Sequence, residues 1–192
     1  MENLWENSYN ELLDVVKSIK HLEPLVYKAI NGIINRLGKG GKILVCGNGG
    51  SASDAQHFSA EVVGRFKGER RGLPAISLTS DGILLTAISN DYGYENVFSR
   101  QIEALGEPMD VLIAISTSGR SRSVNKAVEI AHRKGLFIVY LTGAENPTLN
   151  DLGIIDVLIK VPSKSTQRVQ EIHRFILHVF AEGIEDAFIF QA

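Results

Sequence analysis

From about Asn3 to Leu37 the apolar positions recur three and four residues apart, a spacing that predicts two helices broken once at Glu23-Pro24. Leu12, Leu13, Val16 and Ile19 form one stripe; Val26, Ile30, Ile33, Ile34 and Leu37 form a second. Pro24 suits the first residue of the second helix, where no N–H is needed, and Gly38, Gly40 and Gly41 end it. Leu4, Trp5, Val15 and Leu22 add more apolar surface than one packing face uses. The hairpin over residues 1–38 is therefore expected to take part in subunit contacts.

After Gly41 the period changes. Strand-like apolar runs occur at 43–46, 75–78, 111–115, 137–141 and 157–161. Helical stretches separate them at about 53–66, 81–89, 94–105, 121–134 and, briefly, 147–152. A last helix over about 166–187 carries Val169, Ile172, Phe175, Ile176, Val179 and Phe180. Strands alternating with helices imply crossover connections and a parallel sheet covered on both faces. Ligands of such sheets sit beyond the carboxyl ends of the strands, where the winding order reverses. The loops 47–52, 79–81, 116–121 and 142–146 are the ones to watch. No repeat or linker divides the chain, so residues 1–192 read as one domain.

The first of these loops is the richest. Cys46-Gly47-Asn48-Gly49-Gly50-Ser51-Ala52-Ser53-Asp54-Ala55-Gln56-His57-Phe58-Ser59-Ala60-Glu61 follows the run Lys42-Ile43-Leu44-Val45. Three glycines and Asn48 let the backbone turn sharply and approach a ligand. Ser51 or Ser53 is expected to cap the next helix, whose free N–H groups favour an anion. His57 and Glu61 lie four apart on one face of that helix, as a metal or acid–base pair would. The dinucleotide fingerprint and the P-loop are both absent here. Taken alone, these residues slightly favour the plainer reading, a glycine turn feeding a helix whose His57 merely packs.

Ser116-Thr117-Ser118-Gly119-Arg120-Ser121 repeats the logic after the third run. Hydroxyls, a glycine and a helix start make a second anion site, with Arg120 and Arg122 available for charge-assisted bonds. Asn90 and Asp91 fall in a turn-like stretch before Gly93 and offer sugar-hydroxyl contacts. On the last helix Gln170 and His178 are eight apart, about 80° around and ~12 Å along. For two ligands of one ion, either that span is stretched or different subunits contribute. His173 lies on the opposite side of that helix, and His21 and His132 sit in charged, surface-like surroundings.

Composition narrows the class. A formal charge of −2 leaves no electrostatic footprint for nucleic acid or an anionic membrane. No apolar run approaches the ~20 residues a membrane span needs. The start Met1-Glu2-Asn3-Leu4-Trp5-Glu6 shows no secretion signal, and the lone Cys46 suits a reducing compartment as a small buried residue. A cytoplasmic location is expected.

Taken together, the 46–58 loop, Ala87-Ile88-Ser89-Asn90-Asp91, Ile115-Ser116-Thr117-Ser118-Gly119 and Arg168-Val169-Gln170-Glu171-Ile172-His173 resemble the phosphoheptose (sedoheptulose 7-phosphate) isomerase family of sugar isomerase (SIS) domain proteins. The likeness runs from the N-terminal helices to the last one. It implies an α/β three-layer sandwich around a five-stranded parallel sheet, and a homotetramer with active sites between subunits. It also implies one Zn2+ per site, held by His57, Glu61, Gln170 and His178. The implied reaction is interconversion of sedoheptulose 7-phosphate and D-glycero-D-manno-heptose 7-phosphate through an enediol(ate), opening nucleotide-heptose precursor synthesis. Glu61 would act as base and His178 as proton shuttle. Asn48, Gly49, Gly50, Ser51, Asn90, Asp91 and Gln170 would line the substrate, with Ser116, Thr117, Ser118 and Ser121 anchoring its phosphate. Related SIS proteins that bind a bacterial replication initiator lack counterparts of Glu61 and His178; a sugar-phosphate sensor is the third option.

Overall fold

A computed structural model describes residues 3–149 and 152–189. Helix α1 (Leu4–Ser18) meets α2 (Glu23–Gly38) through a single 3-10 turn, with Pro24 in the first turn of α2 as its missing N–H allows. Strands β1 (Ile43–Gly47), β2 (Ala75–Ser77), β3 (Val111–Ser116), β4 (Phe137–Thr142) and β5 (Val157–Lys160) then alternate with α3 (Gly50–Val63), α4 (Gly82–Tyr92), α5 (Ser99–Leu105) and α6 (Arg122–Arg133). Helix α7 (Thr166–Phe188) closes the order.

All strands pair in parallel, in the order β2-β1-β3-β4-β5. Side-chain alternation divides the core into two layers. Ile43, Val45, Val111, Ile113, Ile115, Val139 and Leu141 face α2, α3 and α7, meeting Ile30, Ile33, Phe58, Ile172 and Phe180. Leu44, Cys46, Leu112, Ala114, Ile138 and Tyr140 face α5 and α6, meeting Phe98, Ile102, Val124 and Val128. Cys46 is buried, which pushes its thiol up. This is the three-layer α/β sandwich expected of the sequence, with the helical hairpin on the α7 side.

The local differences have physical reasons. In α1 the buried position is Val15, with Leu12 and Ile19 packed beside it; Val16 faces out. Arg168 of α7 ties α1 down instead, donating to the carbonyl and hydroxyl of Ser8 at 3.2 Å each and pairing with Glu11. Phe175, expected in the core, is 54% exposed. With Val16, Ile19, Val26, Tyr27 and Val179 it lines an apolar groove of about 350 Å³. No helix forms over 146–149, because the N–H of Thr148 is held by the carbonyl of Gly119; Leu152–Ile154 make a 3-10 turn, and residues 150 and 151 lie outside the described residues. Among the described residues no helix is long and apolar enough to cross a membrane.

Candidate active site

Winding runs from β1 to β2 on one side and to β3 on the other, so the order reverses between β1 and β3. Gly47 pairs with Ile115 there, which sets the glycine loop beside the hydroxyl loop. The glycine loop turns at Gly49, whose φ of 57° and ψ of −122° favour glycine. Helix α3 consequently starts at Gly50, earlier than expected, and neither Ser51 nor Ser53 caps it. Ser51 is buried in the first turn, and Ser53 donates back to the carbonyl of Gly50 at 2.7 Å. The N–H groups of Ser51, Ala52 and Ser53 already bond to Asn48 and Gly49. Helix α3 thus offers an anion fewer donors than its sequence suggests.

The hydroxyl loop offers more. Ser121 occupies the N-cap position of α6 without capping it. Its hydroxyl instead accepts from Asn48 Nδ2 at 2.6 Å, and Ser123 accepts from the same nitrogen at 3.0 Å. Tyr94 donates its hydroxyl to Asn48 Oδ1 at 2.7 Å. Asn48 therefore joins three elements in one polar cluster at the mouth of β3. Ser118 accepts from the N–H of Arg120 at 3.2 Å, while Thr117 and Gly119 are fixed through their carbonyls by Gly143 and Thr148. Arg120 points elsewhere, pairing with Glu145 at 2.6 Å on the surface. Asn90 and Asp91 sit exposed in the last turn of α4, bonded to each other at 2.9 Å and to neither loop.

A second cluster forms where α3 passes α7. His57 Nε2 lies 2.9 Å from His178 Nε2 and 3.5 Å from Glu61 Oε1. At 2.9 Å the two imidazoles share a hydrogen bond, so one nitrogen carries a proton and the other is bare. Two nitrogens on a tetrahedral zinc stand roughly 3.3 Å apart, so a slight parting of the rings would admit a cation. The donor types, two imidazoles and a carboxylate, suit zinc. As they stand, the described residues hold no group of three or more His, Cys, Asp and Glu arranged around a metal position. Gln170 packs its amide on Gly50, where an added Cβ would come within 2.4 Å of Oε1.

His173 is fully buried, facing the carbonyl of Thr142 at 3.1 Å, which fixes the proton on Nε2. Burial lowers its pKa to about 4, against smaller opposing effects of that carbonyl and Asp54. Asp54, also buried, accepts two bonds from Arg174 at 2.9 and 2.6 Å. Tyr94 and Ser123 escape sequence reasoning: no spacing marks a tyrosine 46 residues from its asparagine, and Ser123 stands just past the hydroxyl run.

Residues 5–143 match the family model of the SIS domain. A curated phosphoheptose isomerase of Geotalea daltonii is 52% identical over 172 residues, 89% of this chain and 88% of that one. A phosphoheptose isomerase structure from Francisella tularensis superposes with a TM-score of 0.90 at 36% identity, over 97% of this chain and all of the other. The phosphoheptose isomerase structure from Neisseria gonorrhoeae gives 0.86 at 39% identity, over 94% and 96%. With a five-stranded sheet, a glycine loop and a hydroxyl loop at its switch point, and these likenesses over nearly the whole length, the chain belongs to the phosphoheptose isomerases of the SIS domain family and is an isomerase.

Proposed function

We propose that the enzyme converts sedoheptulose 7-phosphate to D-glycero-D-manno-heptose 7-phosphate in the cytoplasm, supplying a heptose for nucleotide activation. The observation that carries this reading is the meeting of His57 and Glu61 of α3 with His178 of α7, in a fold whose switch point carries the hydroxyl loop. The substrate's phosphate binds at the N-terminus of α6, among Ser116, Thr117, Ser118 and Ser121, where uncapped N–H groups favour an anion. Ser51, Asn48, Gly49 and Gly50 shape the near wall. Anchoring the remote phosphate holds C1 and C2 against the imidazole corner.

Glu61 takes a proton from C1 of the ketose and returns it to C2. His178 moves the hydroxyl proton from O1 to O2, so the enediol(ate) closes to an aldehyde with atoms balanced. Zinc held by His57, Glu61 and His178, with Gln170 as the fourth ligand, would polarise the carbonyl and stabilise the developing oxyanion. Oε1 of Glu61 faces His57 at 3.5 Å; the carboxylate would help hold the metal and, with its other oxygen, take the proton. The eight-residue spacing of Gln170 and His178 along α7, ~12 Å of rise, supports a site finished at a subunit contact. So do the exposed Trp5, Tyr27 and Phe175 and the groove beside them, which fit a homotetramer. Asn90 and Asp91, exposed on α4 shortly before Tyr94, would contact the sugar's hydroxyls.

The test is conversion of sedoheptulose 7-phosphate by zinc-loaded enzyme. Turnover that a chelator abolishes and added zinc restores is expected; zinc-loaded protein that leaves the ketose unchanged overturns the substrate assignment.

A further inference from the structure

Glu185 stands seven residues after His178 on α7, two turns along and on the same face. It is buried, and its carboxylate accepts the N–H groups of Phe66 at 2.9 Å, Lys67 at 2.8 Å and Gly68 at 2.7 Å. These residues form the loop that leaves α3 just past Glu61. Phe66 lays its ring on the His178 imidazole, centroids 5.7 Å apart and tilted by 36°.

Arg70 closes the other side of the loop. One terminal nitrogen donates to the carbonyl of Glu61 at 2.8 Å; the other donates to Val62 at 2.9 Å, Arg71 at 3.0 Å and Gly64 at 3.3 Å. The last carbonyls of a helix have no partner within it, and here the guanidinium fork supplies one. Arg70 Nε lies 3.7 Å from Glu185 Oε2, with both side chains nearly inaccessible. Burial raises the Glu185 carboxyl, but the three N–H groups and Arg70 outweigh it and hold the group below the usual carboxylate range. A buried ion pair is weak evidence of stability, since packed apolar residues often serve as well. This pair holds the backbone of Glu61 at one end and, at the other, the backbone of Phe66, whose ring lies against His178.

We propose that Glu185 and Arg70 are positioning residues of the isomerase: the clamp they form fixes the Glu61 carboxylate and the His178 imidazole relative to each other. The inference rests on the roles given above to Glu61 and His178. It adds that α3 and α7 are locked at the site by charge-assisted bonds whose directions are set, which apolar packing would not supply.

Glu185→Gln turns one acceptor into a donor facing N–H groups, and Arg70→Lys keeps the charge but loses the fork. Asp110→Asn is the control. Asp110 is a buried carboxylate that accepts the N–H groups of Lys42 and Glu107, at the opposite end of β3. With each protein held below its melting temperature, E185Q and R70K are expected to lower kcat tenfold or more with KM within threefold. Both should displace the imidazole 15N resonances of His57 and His178 in the substrate-free enzyme. D110N should lower the melting temperature yet keep kcat within twofold and the resonances in place. Folded E185Q and R70K with kcat within twofold of wild type, or with unmoved resonances, overturn the clamp, as does a D110N whose kcat falls equally far. If E185Q does not fold, R70K decides alone. Wild-type enzyme idle on the ketose defeats the substrate assignment instead, and the resonances, which need no substrate, then decide the clamp.

Discussion

At the mouth of β3, Asn48, Ser121, Ser123 and Tyr94 are hydrogen-bonded to one another across three elements, whereas His57, Glu61 and His178 meet through one imidazole–imidazole bond and a 3.5 Å approach. The first region has its polar groups placed before any ligand arrives. On the proposed roles, the second has groups whose arrangement must still change to do chemistry: the two rings occupy each other's nitrogens, and the amide of Gln170 packs on Gly50. On the function proposed above, the contrast separates binding from turnover. A rigid polar berth gives uniform affinity, while a corner completed late spends its interactions on the transition state.

Substitutions should sort along that line. Glu61→Gln is expected to lower kcat by about 10²–10⁴-fold with KM within a few-fold, read from aldose formation. Lost binding with chemistry intact would erase the contrast. Ser118→Ala should raise KM for the phosphorylated sugar by roughly 10-fold or more at unchanged kcat, the size of one hydrogen bond to a charged group. An unchanged KM removes that loop from the berth. Tyr94→Phe deletes only the bond to Asn48 and should raise KM about two- to tenfold; a drop in kcat alone would show that the berth is not separate from the corner.

A fourth test sharpens the comparison through stability. His173, buried beneath the site, has a folded-state pKa of about 4, below the ~6.5 of an unfolded histidine. Its contribution is fully present above pH ~6.5 and is lost as pH falls toward 4, because only the unfolded chain takes the proton. The slope is about 1.4 kcal/mol per pH unit for that one group. Urea unfolding from pH 7 to 4 should show it, and His173→Gln should flatten it; an equal slope in the variant places the acid sensitivity elsewhere.

The strands lie within a residue of where the sequence puts them, because strands buried on both faces read as unbroken apolar runs. Helix starts were less legible. Ser51 and Ser53 have the right chemistry for a cap, but Gly49 reaches a conformation they do not favour and begins α3 first. Val16 and Phe175 carry the right period yet face outward, since a helix with surplus apolar residues leaves open which stripe is buried. In the site, local loops announced themselves by composition. Tyr94 and Glu185 did not: each acts across a fold contact, and Glu185 meets its loop from 117 to 119 residues away. Arg70 bonds locally, within nine residues, but no motif marks a guanidinium that folds back on the end of the helix before it.

Helix α7 holds Arg168, which ties down α1, then Gln170, His173, His178 and Glu185 in one unbroken 23-residue rod. Each residue adds about 100° of rotation and 1.5 Å of rise. One amino acid inserted between Gln170 and His178 would therefore swing everything downstream by over a quarter turn. That insertion would withdraw the imidazole from His57 and the carboxylate from residues 66–68 together. Length drift in this enzyme is thus forbidden along its final rod, which works as a ruler whose marks keep their angles as well as their distances.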